Sequence, residues 1–281
     1  MKTAREIGSE RSNDTVKDKI QISAEDERLS ISKYYHMEFS PIPPDKAAIL
    51  KAGCCAPGDA LPIFQRNRLF EPGYLPVETG CCVMEDGTGF MANLTPMPGV
   101  SAEMFDWWFA WHGCGPLRYT VWNPYDHKSA VSLNYAHTHH PGLSWRERYW
   151  NTTHLVTEDV GTGFERMFIN FRQPGELGYE QEKIDTPLCS TLVCGNAGST
   201  DSGQGVVVLT HFLRPTDEGS ELRTRFWMGW QIIGGRPVKM LPDGASLPEQ
   251  VVYDTLEHNI REFNHLAHIL PKIYAEEHDR F

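Results

Sequence analysis

The chain has 281 residues, with 26 Lys+Arg against 37 Asp+Glu for a formal net charge of −11, and 40% of its residues are hydrophobic. That composition excludes a disordered chain, and the acidic excess would repel a phosphate backbone or an anionic leaflet, so neither nucleic acid nor a membrane surface is the expected partner. Twelve histidines and seven cysteines remain to be explained. The N-terminus has no apolar signal-peptide core, and no stretch approaches the roughly 18 uninterrupted apolar residues of a membrane span, so a soluble, cytoplasmic protein is expected. The cysteines are odd in number, include the vicinal pairs Cys54-Cys55 and Cys81-Cys82, and form no CxxC, which points to free thiols. With no secretory signal, the sequons at Asn13, Asn93 and Asn151 read as chance.

In chain order, residues 1–30 are polar, and Ser40-Pro-Ile-Pro-Pro44 imposes an extended stretch because each proline fixes φ and biases its predecessor away from the helix. A short helix is expected over Asp45–Leu50, then Gly- and Pro-rich loops from Cys54 to Gly80. The boundary falls there: residues 1–79 read as an arm and cap, and 80–281 as the main domain. Cys82 to Asn93 predicts a hairpin turning at Asp86-Gly87. Gly87-Thr-Gly89-Phe-Met-Ala92 also fits a dinucleotide fingerprint, but Pro96 and Pro98 preclude the helix a phosphate loop must open. Ser101 to Trp111 is an amphipathic helix with Ser101 as its cap. Strands are expected at Leu117–Trp122, from His154, at Arg166–Phe171, from Thr191, at Val206–Leu213 and at Glu221–Trp230. A final helix from about Pro248 to Leu270 is ended or kinked by Pro271. The pattern is α+β, a curved antiparallel sheet covered by the last helix.

The nucleophile elbow, the Walker loop and HExxH are absent. The densest histidine cluster, His137-Thr-His-His140, sits in a polar segment ended by Pro-Gly and reads as a solvated loop. On the final helix His258 and Glu262 are one turn apart and project together, either as a shared metal edge or as a solvent-facing pair. His265 lies on the same edge as a competing ligand, and His268 points further away. His127, placed at the end of a strand, Glu158, and His211 in an apolar strand are further candidates. Each has an ordinary alternative: a loop hydrogen bond, a turn cap and a satisfied core histidine.

The blocks Trp107-Trp-Phe-Ala-Trp-His112, Leu117-Arg-Tyr-Thr-Val-Trp-Asn-Pro-Tyr-Asp-His127, Thr157-Glu-Asp-Val-Gly161, His211-Phe-Leu-Arg-Pro215, Glu221-Leu-Arg-Thr-Arg-Phe-Trp227 and the His258-x-x-x-Glu262 helix ending in Leu270-Pro-Lys-Ile-Tyr274 resemble the 2,4-diacetylphloroglucinol hydrolase and phloretin hydrolase family. The resemblance implies a helix-grip, START-like fold and a Zn2+ enzyme that hydrolyses the carbon-carbon bond between an acyl group and a phloroglucinol ring. Carried over by motif, His127, Glu158, His258 and Glu262 would bind zinc, while Tyr119 and His211 would contact substrate hydroxyls and handle protons. Trp107, Trp108, Trp111, Trp122 and Trp227 would help line an apolar pocket. The resemblance also implies a homodimer through the N-terminal arm and a small polyphenol as substrate. Two departures, Phe226 where a tyrosine is expected and Ala130 where an amide is, bear on acyl or ring specificity. The rival readings are a START-like carrier of an aromatic or lipid ligand, which needs no convergent His/Glu set, and a non-haem iron oxygenase, because two histidines and a carboxylate also suit Fe(II).

Overall fold

The computed structural model describes residues 17–281, so the first part of the expected arm and the Asn13 sequon lie outside the described residues. Alternating apolar runs separated by turn residues form one eight-stranded antiparallel sheet in the order β1-β2-β8-β7-β6-β5-β4-β3. Its strands are β1 (Gly80–Val83), β2 (Gly89–Pro98), β3 (His127–Ser132), β4 (Thr153–Asp159), β5 (Phe164–Arg172), β6 (Thr191–Ser199), β7 (Val207–Thr216) and β8 (Gly219–Met228). A separate hairpin, β9 (Trp230–Ile233) with β10 (Arg236–Lys239), follows. Helices α1 (Ser32–His36) and α2 (Pro44–Ala52) precede the sheet. Helices α3 (Ala102–Trp111) and α4 (Pro116–Thr120) link β2 to β3, α5 (Tyr135–Thr138) and α6 (Trp145–Tyr149) link β3 to β4, and α7 (Glu249–Glu277) closes the chain. The sheet curves around α7 in a helix-grip arrangement.

Local chemistry accounts for several boundaries. Asp86 Oδ1 accepts from the Thr88 N–H at 3.0 Å, and Gly87 sits at φ +83°, where a Cβ would meet the Ala245 carbonyl at 2.2 Å. The turn therefore requires glycine for both reasons. Pro96 and Pro98 lie in the part of β2 that pairs with β8 alone, beyond the reach of β1. Ser101 Oγ accepts from the Met104 N–H at 3.2 Å and caps α3, which buries Phe105, Trp107, Trp108, Phe109 and Trp111.

Three expectations are corrected. Leu117–Trp122 is not a strand: Pro116 sits in the first turn of α4, and Leu117, Tyr119, Thr120, Val121 and Trp122 are all buried. The apparent alternation came from one half-exposed residue, Arg118, inside a short helix buried on nearly every side. Pro271 does not end the last helix, which runs to Glu277. The buried Ile269, Leu270 and Ile273 hold that turn in the core despite the amide that proline lacks. His127 begins β3 instead of ending a strand, with a register shift between it and Ser129. Of the His137–His140 stretch only His137 and Thr138 belong to the short α5, His139 and His140 following its end; His137 and His140 are exposed, and none of the stretch is part of a metal-holding group among the described residues.

The core has two main faces. The inner one, between sheet and α7, contains Phe105, Trp107, Trp108, Phe109, Trp111, Phe171, Leu209, Phe263 and Leu266. The outer one packs Leu61, Ile63, Leu69 and Phe70 of the cap against Phe90, Phe212 and Trp227 of the sheet. Trp227 donates from Nε1 to the Leu61 carbonyl at 2.8 Å, so it is an outer-face anchor and not part of an inner pocket. Glu78 fastens the same cap. It accepts from Arg223 Nη2 at 2.6 Å and Arg225 Nη2 at 2.6 Å, both arginines being fully buried, and Arg223 Nη1 donates to the Leu69 carbonyl at 2.8 Å. All seven cysteines are free, with Cys54 Sγ 3.7 Å from Cys81 Sγ.

Candidate metal centre

The turn before β3 is closed by Asn123, whose Nδ2 donates to Asp126 Oδ2 at 2.8 Å and whose carbonyl accepts from the His127 N–H at 2.9 Å. This delivers His127, fully buried, to the head of β3, where it pairs across the ladder with Glu158 of β4. From the opposite side α7 presents His258 and Glu262 one turn apart. His127 Nε2 lies 3.2 Å from His258 Nε2, 3.4 Å from Glu262 Oε2 and 3.6 Å from Glu158 Oε2. His127, His258 and Glu262 thus bring one ligand atom each within 4.8 Å of one another. Glu158 stands beside them and accepts a hydrogen bond from the Tyr119 hydroxyl.

Aromatic walls hold this group. The Tyr119 ring stacks on His127 at 4.1 Å with a 4° interplanar angle, and Trp122 meets the same imidazole edge-on at 4.9 Å. Trp122 Nε1 donates to the Glu262 carbonyl at 3.0 Å, while Asn259 Nδ2 donates to Glu262 Oε1 at 2.9 Å and is itself held by Asn93. His211 of β7 packs among aromatic rings, its own ring 4.8 Å from Phe263, 5.5 Å from Phe109 and 5.8 Å from Phe226, with Nδ1 against Thr224 Oγ1 at 3.1 Å. Trp107, Trp108 and Trp111 belong to the inner core. His265 leaves the group: its Nδ1 accepts from the Ser40 N–H at 3.2 Å and its ring packs on Phe39. His268 faces Lys272 on the exposed side.

The electrostatics of the group are those of crowded acids in a dry site. Burial pushes the Glu262 carboxyl up to about 8, His258 opposing this and Glu158 reinforcing it, and burial likewise raises Glu158. Burial works against a charged His258, yet its contact with Asp126 and the nearby Glu262 and Glu158 push it up to about 9. His127 is held well below its usual value by burial and by the neighbouring His258. A divalent cation fits this arrangement. Two imidazoles aim Nε2 at one point beside two carboxylates, an N/O set suited to a borderline dication, and the cation would offset the repulsion that raises Glu262. Behind His258, Asp126 Oδ2 stands 3.4 Å from Nδ1, the kind of carboxylate that commonly supports a metal-binding histidine.

The residues missed from sequence are Asn93, Asn259, Asp126 and the inner histidines His112 and His154. Asp126 and Asn259 each adjoin or lie one turn from a nominated ligand, which was the available signal. His154 shares a strand face with Val156 and Glu158 and has no hydrogen-bond partner at either ring nitrogen among the described residues. Its ring is packed on Gly113, where an added Cβ would meet Cε1 at 2.4 Å and Nδ1 at 2.5 Å. Gly113→Ala is accordingly expected to destabilise the fold by about 1–3 kcal/mol through overpacking, measured by urea unfolding. A change below about 0.5 kcal/mol would show that His154 can move aside.

Fold and site together define a helix-grip protein with a buried two-histidine, two-carboxylate cluster between sheet and helix. A family model described as the DAPG hydrolase PhiG domain matches residues 61–275, and the chain belongs to that family. It is 38% identical over 268 residues to a phloretin hydrolase of Eubacterium ramulus, covering 94% of this chain and 96% of that one. It is 29% identical over 261 residues to a 2,4-diacetylphloroglucinol hydrolase of Pseudomonas protegens, covering 87% and 83% respectively. The chain is accordingly a hydrolase. Among solved structures, Ara h 8.0201 aligns with a TM-score of 0.41 at 12% identity over 66% of this chain and 99% of its own. No helix among the described residues is long and apolar enough to cross a membrane.

Proposed function

We propose that this hydrolase is a zinc enzyme that cleaves the carbon-carbon bond between an acyl group and a phloroglucinol ring, with phloretin as its substrate. The observation that carries the reading is the convergence of His127, His258 and Glu262 within 4.8 Å of one another, with Glu158 beside them. The choice of phloretin follows the relative of that name, which is 38% identical and 96% covered. His127, Glu158, His258 and Glu262 would hold the ion. Once bound there, zinc would polarise the acyl carbonyl and lower the pKa of a water.

The remaining chemistry falls to the protein. Water supplies OH to the acyl carbon and H to the ring carbon as the bond between them breaks, so the products are phloroglucinol and 3-(4-hydroxyphenyl)propionic acid. The leaving ring carbon is tolerable because ortho and para hydroxyls let the ring pass through a keto tautomer. His211, which burial holds down to about 3 and so neutral, is the proposed group exchanging a proton with a ring hydroxyl or carbon. Tyr119, fixed by its stacking on His127, positions the substrate through its hydroxyl. Phe226 beside His211 removes a hydroxyl from that wall, and Ala130 of β3 offers no amide.

The test is turnover of phloretin and of diacetylphloroglucinol by the full chain, with and without oxygen, reading released acid chromatographically. Phloretin is expected to be hydrolysed without oxygen and at a kcat/KM at least about tenfold above that for diacetylphloroglucinol, a difference of about 1.4 kcal/mol. The reverse preference overturns the choice of substrate. An obligatory need for oxygen, or no turnover of either compound, overturns the reaction itself.

A further inference from the structure

Of the two imidazoles in the cluster, His258 is the one with a carboxylate behind it, Asp126. Asp126 precedes His127 in sequence yet faces His258, 132 positions later, with Oδ2 at 3.4 Å from Nδ1. The carboxylate is almost fully buried and held from two further directions. Asn123 Nδ2 donates to Oδ2 at 2.8 Å, and the ammonium of Lys17 pairs with Oδ1. Lys17 also pairs at 2.8 Å with Asp159, the residue after Glu158, and the Asp159 N–H donates to the Asp126 carbonyl at 3.0 Å. The segment bearing Lys17 is tied down three residues on, where the Ile20 N–H donates to the Pro124 carbonyl at 2.8 Å. A strap thus crosses the outer wall of the cluster and fastens the residues flanking His127 and Glu158.

We propose that Asp126 is a positioning residue of the metal centre, anchored by Asn123 and by Lys17 of the N-terminal strap, and that it fixes the His258 tautomer with Nδ1–H toward the carboxylate and the Nε2 lone pair toward His127 and Glu262. This rests on the metal reading above. An imidazole offers its lone pair at only one nitrogen, so a carboxylate at Nδ1 selects the tautomer that can ligate through Nε2, and such partners typically contribute 10–100-fold in metal affinity. The alternative is that Asp126 serves only the turn and the ion pair. Its carboxylate would then be indifferent to whatever His258 binds.

The experiment uses the full chain stripped of metal, with zinc affinity read by competition against a chromophoric chelator and the visible spectrum of the cobalt-loaded protein as a second signal. Wild type is expected to take up one zinc per chain. Asp126→Asn is expected to bind zinc about 10–100-fold more weakly and to shift the cobalt bands, with the metal-free protein still folded by circular dichroism. Lys17→Met, at a half-exposed side chain, is expected to weaken zinc about threefold, and Lys17→Arg to restore it. Loss of orientation outweighs loss of a solvent-screened charge. If Asp126→Asn fails to fold, the Lys17 pair reads the same link. Wild-type protein that takes up no metal overturns the metal reading itself. Wild type that binds zinc, with Asp126→Asn or Lys17→Met within twofold of it and cobalt bands unmoved, overturns this inference alone.

Discussion

His127→Ala is expected to leave a folded chain that holds no metal and turns over phloretin at least about 10³-fold more slowly, a loss of about 4 kcal/mol in transition-state stabilisation. The expectation follows from position. Nε2 of His127 contacts His258 at 3.2 Å, Glu262 at 3.4 Å and Glu158 at 3.6 Å, so its removal leaves the helix pair and the strand carboxylate without their common neighbour. Glu262→Ala should behave alike. His211→Ala is the contrast: His211 contacts Thr224 and aromatic rings, so the variant should retain the metal and lose turnover. Elemental analysis beside the assay separates the two classes, and wild-type activity in His127→Ala would refute the assignment.

Glu78→Gln is expected to cost about 3–5 kcal/mol of stability, the largest effect foreseen away from the His/Glu cluster. Glu78 is the shared carboxylate of Arg223 and Arg225, both with no exposed surface. Burial alone would raise its carboxyl, but the Arg223 hydrogen bond and the charges of Arg225 and Arg223 hold it down at about 2. Because the folded value lies below the unfolded one, this stabilisation is complete above about pH 4.3 and is lost as pH falls through about 2. Removing the charge leaves two guanidiniums in a dry layer, and the residual hydrogen bonds of an amide do not neutralise them. Arg223 also reaches the Leu69 carbonyl and Arg225 the Val77 carbonyl, so the cap should loosen from the outer face. Urea unfolding at neutral pH tests this, and a shift below about 1 kcal/mol would mean that water reaches the pair. Metal content should be unchanged, since the clamp lies on the face of the sheet opposite the cluster.

What was legible in the sequence was chiefly local. The Asp86-Gly87 turn, the Ser101 cap and the strands carrying His154, Arg166, Thr191, Val207 and Glu221 are written in neighbouring residues, as is the His258/Glu262 spacing. The failures are places where tertiary burial overrides a local signal: Leu117–Trp122 mimics a strand because nearly all of it is buried, and Pro271 is carried through by Ile269, Leu270 and Ile273. Charged residues in a strand ordinarily mark the solvent face, so Arg223 and Arg225 gave no hint of a clamp closed by Glu78, 145 positions away from the nearer of them. The metal candidates could be nominated through the family's motifs. Asp126 and Lys17 could not, because their roles depend on contacts 109 and more positions apart.

The inner histidines have a consequence for how the molecule meets acid. Burial holds His112 and His265 down to about 4 and His211 to about 3, and keeps His154 well below its ordinary value. An unfolded chain binds protons at all four positions below about pH 6.5, whereas burial keeps the folded chain from taking them up until the pH is well below that. Each histidine therefore tilts the balance toward unfolding by up to about 1.4 kcal/mol for every pH unit below 6.5. Through these four histidines the same interior that keeps His211 neutral at working pH weakens the fold as the pH drops below about 6.5, while the raised Glu262 carboxyl acts in the opposite direction down to about pH 4.3.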